Sequence, residues 1–144
     1  MYDAQQVGQQ HYAMIRSSFK ERIAKLQAKG RKMIYPLIDL DSTMLNLYEW
    51  NNVWIVDGYL IAYEVGQFWC NDDLPVLHEQ LVFKLYGDAP FSVVPQFLED
   101  KAREAGCKFL TVGTALATSD AALASLYARH GFTPSAVTLM KEIA

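Results

Sequence analysis

The sequence predicts a mixed α/β (α+β) domain, in which an antiparallel β-meander leads into a β-α-β-α-β half and helices cover both faces of a mixed central sheet. Three observations carry this. Tyr12, Ile15, Phe19, Ile23 and Leu26 recur every three or four residues, the period of one buried helical stripe. Asp57-Gly58 stands between two strand-like runs, Val53–Val56 and Tyr59–Val65, the strongest hairpin signal in the chain. Farther on, a helix ending at Gly106 precedes a short apolar run, Phe109–Thr114, and strand, helix, strand implies a right-handed parallel crossover.

The elements follow in order. The first stripe predicts a helix over residues 4–28, stopped at Gly30, with nothing strand-like before it. Pro36–Leu47 reads as a linker, in which Thr43–Leu47 is either a helical turn or the lead-in to a strand. Gly66–Cys70 extends the second strand, Asn71-Asp72-Asp73 breaks it, and Pro75 leads into the third, Val76–Leu85. After the loop Tyr86–Phe91, Ser92 is the N-cap of a helix whose inner face carries Val94, Phe97, Leu98 and Ala102. Pro95 falls in its first turn, where a missing N–H is tolerated. Ser119-Asp120 caps a last helix, Ala121–Arg129, and Val137–Ile143 alternates as a closing strand. No repeat or linker divides the chain. One domain is expected over 1–144, with the N-terminal helix in 1–30, the meander in 50–85 and a second half in 86–144.

Composition narrows the function classes. The 144 residues can bury roughly two thirds of their unfolded surface without disulfide or metal support. A net charge of −3 with thinly spread Lys and Arg argues against nucleic acid as a partner, and Lys29–Lys32 reads as a solvated helix face. Two cysteines without a CxxC pair, and three histidines far apart, predict no metal site. Both cysteines follow apolar or aromatic runs and read as buried free thiols. The N-terminus shows no signal-peptide pattern and no run is long enough to span a membrane, so a cytoplasmic protein with no membrane partner is expected. P-loop, Gly-x-Gly and Ser-His-Asp patterns are absent.

One segment goes further. Asp120-Ala-Ala-Leu-Ala-Ser-Leu-Tyr127-Ala-Arg-His-Gly131-Phe132 resembles the helix motif of the GNAT acetyltransferase family, and Ala102–Cys107 is similar to the end of that family's cofactor-binding helix. The resemblance covers about half the chain, from Val76 onward. It implies that the third meander strand and the Phe109–Thr114 strand splay apart to admit acetyl-CoA. Backbone around Val82 and Phe83 would pair with pantetheine. The loop and helix start at Gly87, Asp88, Ala89, Phe91 and Ser92 would receive the diphosphate, where free N–H groups and the helix dipole favour anions. Residues 86–144 are then the cofactor-site half.

The resemblance also implies roles for three side chains, each with a plainer alternative. Tyr127 stands where the family often keeps a Tyr that protonates the leaving thiolate; as an aromatic at a helix end it also reads as packing. Glu79 stands near a general-base position, or is a solvent-facing carboxylate; alternation puts it on the face opposite His78. Asp120 falls where an Asn often contacts the pantetheine arm, although its place in the helix cap explains it fully and the two roles can coexist. The loop departs from the family pattern, with Tyr86 for the usual Gln or Arg, and Ala89 and Phe91 at the small positions. The function implied is acetyl transfer to an amine acceptor, small molecule or protein, by direct attack. The alternative is a catalytically degenerate binding or assembly protein on the same fold, similar to phage-encoded relatives, in the host cytoplasm or the virion. Tyr48–Trp69 is dense in aromatics; core packing accounts for most of them, and the remainder suits an aromatic acceptor cleft or an interface with a second copy (a homodimer) or a protein partner through the meander.

Overall fold

In the computed structural model, which describes residues 1–143, Asp57 and Gly58 have φ of 46° and 88°. These paired positive values define the tight turn between β2 (Asn52–Val56) and β3 (Tyr59–Phe68). Only glycine fits at the second position. A Cβ on Gly58 would lie 2.1 Å from the Tyr86 carbonyl oxygen, while the Gly58 carbonyl accepts the Leu85 N–H at 2.8 Å. The turn is thereby tied to the end of β4 (Asn71–Lys84), the third strand of the meander.

Among the described residues, five strands form one sheet in the order β1-β2-β3-β4-β5. β1 (Ala4–Gln6) to β4 are antiparallel; β5 (Phe109–Thr111) joins β4 in parallel. Between β4 and β5 runs α3 (Val93–Glu104), the expected crossover. The sheet's two faces are separately covered. Val56, Tyr59, Ile61, Tyr63 and Leu77 pack on Val94, Phe97 and Leu98 of α3. Val53, Ile55, Leu60, Ala62 and Phe83 pack on Ile15, Phe19 and Ile23 of α1 (Tyr12–Lys29) and on Met44 and Leu47 of α2 (Leu40–Glu49). This is strand alternation used on both sides, which the mixed α/β class requires. Phe97 is fully buried and carries Tyr2, Trp54 and Tyr63 around its ring, so truncating it to Ala would cost about 3–5 kcal/mol.

Several expectations need correction. Residues 4–28 are not one helix: Ala4–Gln6 pair with Val56, Ile55 and Trp54, a 3₁₀ turn follows, and α1 starts at Tyr12. A strand therefore does precede the helix. The linker holds α2, capped by Asp39, whose carboxylate accepts the Ser42 N–H at 2.9 Å. Asn71-Asp72-Asp73 does not break the meander but opens β4, and the turn falls at Trp69-Cys70. The Phe109–Thr114 strand ends at Thr111. Val137–Ile143 forms no strand, because no strand among the described residues pairs with it. Cys107 is buried, but Cys70 is exposed at the hairpin tip.

Candidate active site

β4 and β5 pair only over Val76–His78 and Phe109–Thr111, and beyond Thr111 they separate. The divergence begins at an irregularity in β4. Ala62 faces Leu81 and Tyr63 faces Glu79, leaving Gln80 as an extra residue without a partner on β3. Such a bulge bends a strand and re-aims its side chains. The gap is a cleft of about 520 Å³, walled by Glu79–Lys84 of β4, by Gly113–Ser119 after β5, and by Ala122, Leu123 and Leu126 of α4 (Asp120–Ala128). Arg22 of α1 stands on its rim and donates to the Leu116 carbonyl at 3.4 Å.

Glu79 sits at the fork. Its Oε2 accepts the Gly113 N–H at 3.2 Å, the first contact across the two strands after their ladder ends. Burial raises its carboxyl to about 7, from an ordinary 4.5, with the Gly113 bond pulling the other way. His78, one residue earlier, faces the ladder instead, its Nδ1 2.6 Å from Thr111 Oγ1.

Tyr127 is buried near the end of α4, its ring edge-on to Phe91 at 5.0 Å and to Phe132 at 5.1 Å. Its hydroxyl has no hydrogen-bond partner among the described residues. Desolvation, and then the charge of Glu79, push its pKa upward, so the hydroxyl keeps its proton and lies within electrostatic reach of the carboxylate.

The structure thus brings Glu79, Val82 and Phe83 together on the cleft wall; Tyr127 does not line the cleft but is buried behind it, within the field of Glu79. Gly87, Asp88, Ala89, Phe91 and Ser92 lie off that wall. Gly87 has φ 84° and is open to solvent, and Asp88 is exposed. The Ala89 carbonyl accepts the Tyr59 hydroxyl at 3.1 Å. Ser92 precedes α3, but its side chain makes no capping bond. The first turn of α3 offers few donors: Val93 N–H goes to Pro90, Val94 N–H to Phe91, and Pro95 has none. Asp120 is the first residue of α4, and the cap is Ser119, whose hydroxyl accepts the Ala122 N–H at 3.1 Å. The Asp120 carboxylate is taken by Lys32 and, at 2.7 Å, by Thr114, and these bonds hold its pKa low.

That contact corrects the reading of Lys32 as part of a solvated face. Its ammonium also donates to the Thr114 carbonyl at 2.9 Å, and the Tyr35 hydroxyl donates to Ala117. The stretch between α1 and α2 therefore clamps the β5–α4 loop over the cleft. No local signal announces this, because the partners are remote in sequence. Gln80 and Gly113 were missed for a related reason: one is a bulge and the other contributes only its backbone.

No family model and no curated protein matches the sequence. Solved structures do match. The aminoglycoside N-acetyltransferase AAC(6′)-Iy, bound to a CoA bisubstrate analogue, superposes with a TM-score of 0.60 at 14% identity, over 100% of this chain and 99% of that one. The fold is that of the GNAT acetyltransferases. Glucosamine-6-phosphate N-acetyltransferase from Arabidopsis thaliana matches with a TM-score of 0.54 at 14% identity, over 100% and 99% of the two chains. A transcriptional regulator from Bacillus halodurans matches with a TM-score of 0.61 at 10% identity, over 99% and 100%. At these identities the GNAT likeness is one of fold, and any chemistry has to be argued from the cleft itself.

Chemically, the cleft holds a carboxylate poised near neutrality and a strand edge with outward backbone groups, and a protonated phenol lies buried behind its wall. That set suits proton transfer at two ends of one reacting centre.

Proposed function

We propose that the chain is an acetyl-CoA-dependent N-acetyltransferase, in which an amine acceptor attacks the thioester directly. The observation that carries the reading is Glu79 at the β4–β5 fork with the Tyr127 hydroxyl in its field. The cleft wall fits the extended, mostly apolar pantetheine arm: Val82 presents its backbone outward from β4 beyond the β5 ladder, Phe83 is paired to β3 and lends its place on the wall, and Leu123 and Leu126 line the same cleft. Acetyl-CoA supplies the activated acyl group. Glu79 accepts the proton that the amine gives up, while Tyr127 donates at the departing sulfur. Backbone N–H groups near Val82 polarise the carbonyl. Asp120 and the loop Gly87–Ser92 stand for the rest of the donor site in this reading. An aminoglycoside or amino sugar is the acceptor class that the structural neighbours suggest.

One observation favours a second reading, a binding or assembly protein on the same fold. Phe91 packs against Tyr127, and the first turn of α3 has spent its donors, so the expected diphosphate cradle is poorly provided for. In that case Trp69, 96% exposed at the β3–β4 tip, is the natural start of a protein-binding surface.

Thiol release from acetyl-CoA, followed across a panel of amino sugars, aminoglycosides and lysine peptides, separates the two. Acceptor-dependent release that falls about 10²-fold or more in Tyr127→Phe supports the enzyme. No release with any acceptor supports the binding protein.

A further inference from the structure

The chain carries a net charge of −3, yet the cleft between β4 and β5 is lined by two cations, Arg22 and Lys84, and by one carboxylate, Glu79. Lys84 ends β4 on the side remote from the fork, its ammonium 5.7 Å from the centroid of the Tyr59 ring. Asp120 adds no negative charge to the lining, because its carboxylate is taken by Lys32. A cation-lined cleft in an acidic chain draws anions.

Packing puts Arg22 there. Phe19, three residues before it on α1, stacks on Phe83 of the cleft wall with 4.5 Å between ring centroids. Residues three apart share a helix face, so this contact holds Arg22 at the rim. Neighbouring cations of α1 are engaged, Arg16 with Asp41 at 3.0 Å and Lys25 with Glu21 at 3.4 Å. Arg22 is half-buried and makes no ion pair among the described residues; its bond to the Leu116 carbonyl is long, at 3.4 Å. A guanidinium carries five N–H donors in a planar fork that matches an oxyanion, and most of those donors face the cleft mouth unspent. A half-buried charge held by one long bond is costly, and an oxyanion bound beside it recovers that cost.

We infer that the acceptor carries an oxyanion, a phosphate or a carboxylate, which Arg22 binds at the rim while the amine lies at Glu79. The inference deepens the acetyltransferase reading and rests on it for the presence of an amine acceptor. It divides the amino sugars from the aminoglycosides. An amino-sugar phosphate or an amino acid meets an opposite charge at the rim and at the fork. A polycationic aminoglycoside meets like charge at Arg22 and finds Glu79 as the one carboxylate among the lining residues.

Calorimetric titration of the full chain, with and without CoA, tests it with glucosamine 6-phosphate and L-glutamate against glucosamine and the aminoglycoside sisomicin. At least one oxyanion amine is expected to bind about 10- to 100-fold more tightly than glucosamine, with sisomicin weakest. Which of the two it is distinguishes phosphate from carboxylate. Arg22→Gln keeps an N–H for the Leu116 carbonyl and is expected to bring the oxyanion amines down to glucosamine, while Arg22→Lys keeps the charge and restores part of the preference. Circular dichroism reports whether both variants fold. Equal affinities, tightest binding of sisomicin, no heat with either oxyanion amine, or a preference that survives in Arg22→Gln overturns the inference. Thiol release from acetyl-CoA over the same panel keeps the two readings apart. An Arg22-dependent preference without release leaves the oxyanion site standing and retires acetyl transfer, whereas release without the preference does the reverse.

Discussion

Gln80 takes up the extra position in β4 and leaves Glu79 at the fork, where burial lifts its carboxyl to about 7. A base works deprotonated, so acyl transfer is expected to rise with pH through about 7 and then level off. Glu79→Gln should lose that limb and on the order of 10²-fold in turnover, read from a pH–rate profile. The stability consequence has the opposite sense. The folded carboxyl holds its proton more tightly than the unfolded one, so its contribution is complete below about 4.5 and is lost as pH rises through about 7. Urea midpoints of wild type and Glu79→Gln should therefore converge in acid, with the variant relatively more stable at alkaline pH. A parallel offset at all pH values would contradict the shifted carboxyl. Tyr127 makes a complementary case. Its hydroxyl is buried with no hydrogen-bond partner among the described residues, so Tyr127→Phe should leave stability unchanged or raise it by about 1 kcal/mol while turnover falls. Destabilisation on denaturant titration would mean that the hydroxyl serves the fold.

At the scale of elements, the β2–β3 hairpin is the best-determined piece, because its turn admits little but glycine at Gly58. Gly58→Ala sets a positive φ against a side chain and drives a Cβ into the Tyr86 carbonyl, so a loss of at least about 2 kcal/mol is expected in urea unfolding. An unchanged midpoint would show that the turn relaxes at little cost. This hairpin, the α3 crossover and the α4 cap were legible in the sequence because each rests on local chemistry: a turn pair, a 3.6-residue stripe, and a Ser ahead of an alanine-rich run. β1 was not legible, since Ala-Gln-Gln has no strand pattern and becomes a strand only through the edge of β2. The C-terminal alternation was legible yet pairs with no strand among the described residues, because a strand needs a partner as well as a pattern. The candidate site divides along the same line. Glu79 and Tyr127 were named from the family resemblance, whereas the Gln80 bulge, the Gly113 N–H and the Lys32–Asp120–Thr114 clasp arise from remote pairings that no local window contains.

Across the whole molecule, two helical layers grip the two faces of a sheet that is intact from β1 to β4 and opens between β4 and β5. The opening is possible because α4 and the β5–α4 loop, held by Lys32, Tyr35 and Arg22, take over from the missing ladder. The cleft is thus a feature of the architecture, but its use depends on whether the region around Gly87–Ser92 accepts a diphosphate. Phe91 against Tyr127 is the contact that would have to yield. Calorimetric titration of the purified full chain with acetyl-CoA reads this directly. Saturable heat, with a thermal upshift that grows with ligand concentration, is the expected result, and a hundredfold excess over Kd stabilises by about 2.7 kcal/mol. No heat and no shift at millimolar acetyl-CoA would contradict the acetyltransferase reading and leave the fold as a binding scaffold.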